Sequence, residues 1–221
     1  MAESRAASNA GTRAEFADDG RGSSSARSDG QLAGRRVVLV NGIPASGKST
    51  IAVELAKRTG WLQLSLDGIK NPFLQHLNNV DREFNRILGQ ASYQAIWSIV
   101  ASAPQGSTLI IDAWFGFQPK EVLLAYLAQA GVTGVAEIWC EVSGDVAVSR
   151  YKARLAHRLP GHPGAEYLPE LKVLAERVGP MNIGPVYHAD QNVPLDIEKL
   201  IIWLFHALET PVVINDNALR S

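Results

Sequence analysis

The residues best suited to chemistry form a glycine-rich octapeptide, GIPASGKS at positions 42–49, which matches the pattern G-x-x-x-x-G-K-S/T. Its glycines let successive backbone N–H groups point at phosphate oxygens, Lys48 can reach the terminal phosphates, and the Ser49 hydroxyl can ligate magnesium. It lies between an apolar run, residues 37–40, and a helical pattern, residues 49–58. The pattern therefore predicts a site for a nucleoside triphosphate and Mg²⁺, formed by Gly42, Ile43, Pro44, Ala45, Ser46, Gly47, Lys48, Ser49 and Thr50.

Two aspartates follow apolar patterns that are typical of strands. Asp67 follows the alternating run 62–66, and Asp112 follows the continuous run 108–111. Asp67 is a candidate base that orients an attacking hydroxyl and accepts its proton, although an aspartate before a helix is also a good N-cap. Asp112 is a candidate magnesium ligand acting through water, with a simple turn aspartate as the alternative.

Three arginines recur at four-residue spacing, which places Arg150, Arg154 and Arg158 on one face of a helix predicted over residues 145–158. They lead into the sequence LPGHPG at positions 159–164, whose composition is typical of a mobile lid. Because few carboxylates lie nearby, we predict that at least two of the arginines bind phosphate, the alternative being a solvated helix face. No role is predicted for His157 or His162.

Aromatic residues supply a possible acceptor surface beside this chemistry. Trp114, Phe115 and Phe117 follow Asp112 directly, so they are predicted to line a pocket for the group that receives phosphate. Aromatic residues on the preceding helical pattern, such as Trp97, suit either that pocket or helix packing.

The elements that must position these residues alternate along the chain. Apolar patterns predict strands at 37–40, 62–66, 108–111, 135–142 and 186–189, and helices at 49–58, 82–101, 120–130, 145–158, 169–178 and 195–208. Strands and helices alternating in this way imply parallel βαβ units and therefore a three-layer α/β sandwich with helices on both faces of one sheet. Residues 211–215 form either a sixth short strand or part of a tail.

Composition limits the function classes. The 221 residues carry 21 basic and 22 acidic side chains, a net charge of −1, so neither a nucleic acid nor a membrane is expected as a partner. The single cysteine, Cys140, predicts a reducing, cytoplasmic setting. Residues 1–34 lack apolar periodicity and are predicted to be a disordered tail, residues 35–210 one domain, and residues 211–221 a C-terminal tail.

This constellation resembles the small P-loop kinases, the group that contains chloramphenicol phosphotransferase, zeta toxins, and gluconate and shikimate kinases. The resemblance rests on the phosphate loop, on Asp67, on the arginine helix before a lid, and on the segment from Asp190 before the last helix. It implies a P-loop NTPase fold with a lid and a five-stranded parallel sheet in the order 2-3-1-4-5. It also implies that ATP is the donor, that Arg154 and Arg158 clamp the nucleotide, and that Asp190 borders the adenine.

Within that group the acceptor stays open. The Asn41-Gly42 pair and Asp67 are similar to chloramphenicol phosphotransferase, whereas Asp67 and Lys70 are similar to the D-x-x-R/K of zeta toxins. Ser65 stands where shikimate kinases have the first aspartate of an Asp-x-Asp motif, which counts against shikimate as the acceptor.

The expected function is an ATP- and Mg²⁺-dependent phosphotransferase with an alcohol group as acceptor, acting on a hydroxyl of a sugar, a sugar acid or an antibiotic such as chloramphenicol. Its predicted catalytic residues are Lys48, Asp67, Arg150 and Arg154, and its predicted metal ligands are Ser49 and Asp112. One alternative is a nucleotide-dependent switch or regulatory ATPase, and another is a zeta-toxin-like kinase acting on a nucleotide-activated amino sugar.

Overall fold

The structure is a computed structural model that describes residues 34–210. The predicted tails and the possible sixth strand lie outside the described residues, apart from Gly34. Within that range one sheet contains β1 (Arg35–Asn41), β2 (Leu62–Ser65), β3 (Thr108–Asp112), β4 (Val132–Glu141) and β5 (Val186–Asp190). The strands pair in parallel in the order β2-β3-β1-β4-β5, which confirms the predicted sheet order.

Helices cover both faces of this sheet. They are α1 (Lys48–Thr59), α2 (Leu66–His76), α3 (Arg82–Ser102), α4 (Lys120–Gln129), α5 (Gly144–Arg154), α6 (Leu168–Arg177) and α7 (Ile197–Glu209). One buried cluster joins the sheet to α3 and α4, and a second joins the opposite face to α1 and α7. The predicted three-layer architecture is therefore confirmed. None of the helices within residues 34–210 is long and apolar enough to span a membrane.

A third buried cluster connects the phosphate loop to α5 and α6. Ile43 of the loop packs there with Val142, Tyr151, Tyr167 and Leu171. Most of these side chains come from the segment that follows β4, so the start of the lid region is anchored on the loop that it would cover.

The prediction for α5 was too long. The helix ends at Arg154 and continues as a 3₁₀ turn, Leu155–His157, so Arg158 lies beyond it rather than on the face of Arg150 and Arg154. Pro160 prevents a regular α-helix from continuing through this segment, because its ring would clash with the carbonyl group of Ala156 and because Leu159, the residue before it, is disfavoured in the helical region. The change to a 3₁₀ turn already at Leu155 has no separate explanation in the local sequence. The other predicted helices match within a few residues, and β4 begins at Val132 rather than at Val135.

The strand register brings the predicted chemistry to one edge of the sheet. Asp112 of β3 pairs with Ser65 at the end of β2 and with Val40 near the end of β1. Asn41, the last residue of β1, pairs with Trp139 of β4. Because parallel strands end together, the phosphate loop, the start of α2 and Asp112 share this edge.

The loop before β5 packs very closely on β4. Pro185 accepts a backbone hydrogen bond from Glu137 at 2.9 Å, and a Cβ at Gly184 would overlap the backbone carbonyl oxygen of Val135. Only a residue without a side chain therefore fits at position 184 in this arrangement.

Replacing Gly184 with alanine should lower the free energy of unfolding by about 1–3 kcal/mol, because the methyl group must displace rigid backbone. Gly179→Ala is the matched control, since a Cβ there meets no atom within 4 Å. Urea unfolding of the two variants makes the comparison, and equal stability would contradict the close packing at Gly184.

Candidate active site

The phosphate loop follows β1 in a conformation that depends on its small residues. Gly42, Ala45 and Gly47 have φ angles of 154°, 66° and 91°, all in the region that favours glycine. A Cβ at Gly42 would overlap the Ser46 hydroxyl, and Ser46 is itself buried with no hydrogen-bond partner for Oγ among the described residues. Because α1 begins at Lys48, the first N–H groups of the helix also have no intrahelical acceptor.

These features fit a phosphate group. The curled loop exposes backbone donors, the Lys48 ammonium lies in the same cleft, and the positive end of the α1 dipole points to it. The residues present therefore suit the predicted triphosphate.

A buried glutamate that the sequence analysis missed holds the base of this loop. Glu137 of β4 is 0% exposed and accepts hydrogen bonds from Asn41 Nδ2 at 2.7 Å, from Met181 N at 2.9 Å and from Asn182 N at 3.0 Å. The Asn41 Oδ1 atom in turn accepts from Gly42 N at 2.8 Å and from Phe115 N at 3.1 Å. Glu137 thus holds the side-chain amide of Asn41, which in turn connects the phosphate loop to the loop after β3. Its sequence signal was a lone acidic residue inside an apolar strand.

One cavity of about 720 Å³ brings most of the predicted chemistry together. From the predicted set it is lined by Lys48, Ser49, Asp67, Asp112, Arg154 and Arg158. It extends past Asp67 to the first two turns of α3 and to the aromatic side chains of Trp114 and Phe117. Phe115, by contrast, is buried in the core, and Trp97 packs there as well. The aromatic prediction is therefore confirmed for Trp114 and Phe117 as cavity walls and wrong for Phe115.

Asp67 lies in the first turn of α2 and faces this cavity. The N-cap alternative is wrong, because Ser65 is the N-cap residue and its Oγ accepts from Gly68 N at 3.3 Å. The Asp67 side chain is 62% exposed, and Lys70 Nζ lies 3.4 Å from its Oδ1. Burial would raise the pKa of Asp67, but the positive charges around it, Lys70 foremost, outweigh that effect and lower it. The carboxylate is therefore ionised at neutral pH and open to a ligand.

Unlike the exposed Asp67, Asp112 is buried, and only 2% of its surface is exposed. Burial raises its pKa, and the neighbouring Lys48 opposes the rise. The Ser49 and Ser65 hydroxyls approach it, yet neither carboxylate oxygen has a hydrogen-bond partner of good geometry among the described residues. A buried carboxylate with free lone pairs beside Ser49 fits a hydrated Mg²⁺.

The three arginines lie in different places. Arg154 and Arg158 line the cavity, whereas Arg150 lies beside Gly47 and donates from Nη2 to the backbone oxygen of Gln191 at 3.2 Å. Arg150 therefore lies between the phosphate loop and the segment after β5. Asp190 is the last residue of β5, and its Oδ1 atom accepts a hydrogen bond from Asn192 N at 2.8 Å. Contact of Asp190 with the nucleotide stays a prediction.

The segment predicted to be a lid, residues 159–164, contacts α2 through His162, a residue to which the sequence assigned no role. Arg158 Nη2 donates to His162 Nδ1 at 2.9 Å, so the ring proton is on Nε2, which faces Asn71 Oδ1 at 3.0 Å. Burial, with Lys70 and Arg158 nearby, lowers the pKa of His162 to about 4, so it is neutral at pH 7. The same guanidinium lies 4.4 Å from the centre of the Tyr151 ring. His162 thus links Arg158 to α2.

Comparison with known proteins agrees with this geometry. Residues 37–171, more than half of the chain, match the family model described as AAA domain. The chain belongs to this AAA domain family. No curated protein sequence matches it significantly.

Solved structures extend the comparison to the fold. A protein from Chloroflexus aurantiacus, classed provisionally as a kinase, is 28% identical, with 80% of this chain and 100% of that chain covered and a TM-score of 0.67. Deoxyadenosine kinase from M. mycoides (18% identity, 79% and 98% covered, TM-score 0.51) and shikimate kinase from Bacteroides thetaiotaomicron (19%, 79% and 98%, TM-score 0.51) share the fold. This family member therefore has the fold of the P-loop kinases, without assignment to one subfamily.

Replacing Glu137 with glutamine tests the buried network. Glutamine offers one acceptor oxygen instead of two, so at least one buried N–H group loses its partner, and the free energy of unfolding should fall by about 1–3 kcal/mol. ADP binding should weaken as well, because Asn41 Nδ2, Met181 N and Asn182 N then compete for one oxygen and the Asn41 amide is held less firmly. Glu141→Gln, on the exposed end of the same strand, is the control and should change neither quantity. Identical urea unfolding curves for the two variants would refute the assignment.

The lowered pKa of His162 makes a prediction about acid stability. The unfolded chain takes up the histidine proton near the usual pKa of about 6.5, whereas the folded chain does so only at about 4, so stability falls as the pH drops through that window. His162→Gln should therefore lose less thermal stability than the wild type between pH 7 and pH 5. His157→Gln, exposed in the same segment, should keep the wild-type pH dependence. Parallel melting curves for all three proteins would contradict the neutral His162.

Proposed function

We propose that this protein is an ATP- and Mg²⁺-dependent kinase that transfers the γ-phosphoryl group to a hydroxyl of a small molecule. The observation that supports this most directly is that Lys48, Asp112 and the open carboxylate of Asp67 line a single cavity, which continues beyond Asp67 between α2, α3 and the loop after β3. A nucleotide-dependent switch needs only the part of the cavity beside the phosphate loop. The part that is lined by α3, Trp114 and Phe117 provides the space that a phosphoryl acceptor requires.

Different residues along this cavity would bind the nucleotide, hold the metal and orient the acceptor. Under the proposal the phosphate loop and Lys48 bind the triphosphate, and Ser49 with Asp112 holds the metal. When bound, Mg²⁺ supplies positive charge against the β- and γ-phosphate oxygens. Asp67 orients the acceptor hydroxyl toward the phosphates and accepts its proton, for which its ionised state and exposure are suited.

The arginines and the lid complete the site. Arg154 and Arg158 would stabilise the negative charge that spreads over the migrating phosphoryl group, since both line the cavity at the lid side. Arg150, whose guanidinium lies beside Gly47 of the phosphate loop, would contact the nucleotide there. With His162 hydrogen-bonded toward α2 and the Tyr151 hydroxyl donating to Pro163 O at 2.8 Å, the lid loop covers the phosphate end and excludes water that would hydrolyse ATP.

The decisive experiment measures magnesium-dependent ADP release from ATP across sugars, sugar acids, nucleosides, hydroxyl-bearing antibiotics and nucleotide-activated amino sugars. Lys48→Ala should abolish acceptor-stimulated release because the terminal phosphates lose their cation. Asp67→Asn should lower kcat by about 100-fold or more while leaving ATP affinity within a few-fold, because loss of a general base affects the chemical step.

Asp145→Asn is the control, an exposed carboxylate at the start of α5 that pairs with Lys172 on the surface. Wild-type turnover by Asp67→Asn would rule out the proposed base. Nucleotide binding without stimulation by any acceptor would favour the switch instead, and stimulation by a nucleotide-activated amino sugar alone would favour a toxin-type kinase.

A further inference from the structure

Arg158 enters the cavity without a carboxylate partner. The part of the chain that the structure describes contains no ion pair of Arg158, and the Nε atom of this residue is buried there with no hydrogen-bond acceptor. Two uncharged groups hold the guanidinium instead. The centre of the Tyr151 ring lies 4.4 Å from Cζ, and His162 Nδ1 accepts a hydrogen bond from Nη2 at 2.9 Å. Neutral contacts therefore set the position of this cation, and its charge is left for a ligand in the cavity.

His162 has to be uncharged to make this contact. A guanidinium only donates, so the Nδ1 atom that receives its hydrogen bond carries no proton, and the ring proton is on Nε2, 3.0 Å from Asn71 Oδ1. The charged groups that face the ring are Arg158 from its own segment and Lys70 and Asp67 from α2. Burial and the two cations outweigh Asp67 and lower the pKa of His162 to about 4, which agrees with a neutral ring.

The backbone on both sides of His162 is fixed as well. Gly161 has a φ angle of 87°, and a Cβ there would lie only 2.6 Å from Val80 Cγ1, in the turn between α2 and α3. On the other side, Pro163 O accepts a hydrogen bond from the Tyr151 hydroxyl at 2.8 Å. The residues next to His162 are therefore packed against that turn and against α5, so the ring has little freedom to move away from Arg158.

Helix α2 carries both the candidate base and the partner of this histidine. Asp67 and Asn71 are four residues apart, which places them on one face of α2, about one turn from each other. Asp67 lines the cavity directly, whereas Asn71 is connected to the cavity wall through His162 and Arg158. The hydrogen bonds from Asn71 to His162 and from His162 to Arg158 thus tie the position of the arginine to the helix that holds the carboxylate.

We propose that His162 is a positioning residue, which holds the Arg158 guanidinium at the site of the migrating phosphoryl group and in a fixed relation to Asp67. The imidazole does this as a hydrogen-bond acceptor, so a neutral side chain that offers an acceptor to Arg158 and a donor to Asn71 can replace it. This inference rests on the proposed kinase function, but binding of a phosphoryl mimic tests it without any acceptor molecule.

The test uses ADP, Mg²⁺ and aluminium fluoride, which together imitate the migrating phosphoryl group. Calorimetric titration of the full-length protein with ADP and Mg²⁺, with and without aluminium fluoride, gives the factor by which the mimic tightens ADP binding. The wild type should show this tightening, because a preorganised cation stabilises the charge of the mimic. His162→Ala should reduce the factor by about tenfold or more, because Arg158 is then free to rotate, while the affinity for ADP alone stays within a few-fold.

Three comparisons separate positioning from a merely structural role. His162→Gln should keep most of the tightening, because its amide oxygen can accept from Arg158 and its amide nitrogen can donate to Asn71. Arg158→Ala should lose the tightening, and adding His162→Ala to it should cause no further loss, since the histidine acts through the arginine. His157→Ala, which removes an exposed histidine of the same part of the chain, is the matched control and should behave as the wild type does.

Nitrogen-15 NMR of the histidine rings checks the contact itself. In the wild type the His162 ring should be neutral, with its proton on Nε2, from neutral pH down to about pH 5. Arg158→Ala should raise the pKa of His162, because one of the two neighbouring cations is then gone. A ring that is protonated at neutral pH, or that carries its proton on Nδ1, would overturn the inference.

Undiminished tightening in His162→Ala would overturn it as well, and so would a further loss when His162→Ala is added to Arg158→Ala, or absence of tightening in the wild type. If the tightening depends on His162 as expected but no acceptor stimulates ADP release, the kinase function fails and the positioning of Arg158 stands. If acceptor-stimulated release is found and His162→Ala leaves its kcat unchanged, the kinase function stands and the positioning role fails. The two failures are therefore distinguishable.

Discussion

The hydrogen bonds around Glu137 are the constraint on which the site depends. A carboxylate inside the sheet is costly unless its oxygens are satisfied, and here three N–H groups from separate parts of the chain supply the partners. Because one partner is the Asn41 amide, the remaining oxygen of that amide is directed at both Gly42 and Phe115. The phosphate loop and the loop after β3, which carries the cavity-lining Trp114 and Phe117, therefore take their positions from the same buried group.

The alternation of strands and helices and the identity of the edge that carries chemistry could be predicted from local patterns in the sequence, whereas the sheet order was implied by the resemblance to the small P-loop kinases. An apolar run before GIPASGKS specifies β1 and the loop, and parallel strands must end on one side. The position of Asp112 after an apolar run indicated that it lies at the end of a strand, and the register confirms this by placing it opposite Ser65, the last residue of β2. Such features depend on residues that are near neighbours in the chain, so periodicity and spacing are sufficient to find them.

The remaining features depend on partners far apart in the chain. His162 reaches Asn71 across 91 residues, and Glu137 reaches Asn41 across 96. No local pattern encodes such a pairing, which is why His162 received no role and why Glu137 was missed. The end of α5 was also misjudged, because the spacing of Arg150, Arg154 and Arg158 indicated a continuous helix, whereas the helix ends at Arg154 and a 3₁₀ turn precedes Arg158.

The pairing of Asp67 with Lys70 has a consequence for the proposed chemistry. A neighbouring cation lowers the pKa of the carboxylate and so makes Asp67 a weak base toward a neutral hydroxyl. In phosphoryl transfer the acceptor proton becomes acidic only as its oxygen bonds to phosphorus, and catalysis depends mainly on positioning and charge. An ionised Asp67 is then suited to hold the hydroxyl by accepting a hydrogen bond before the proton moves. Lys70, only 9% exposed at its side chain, keeps that carboxylate ionised and limits its rotation.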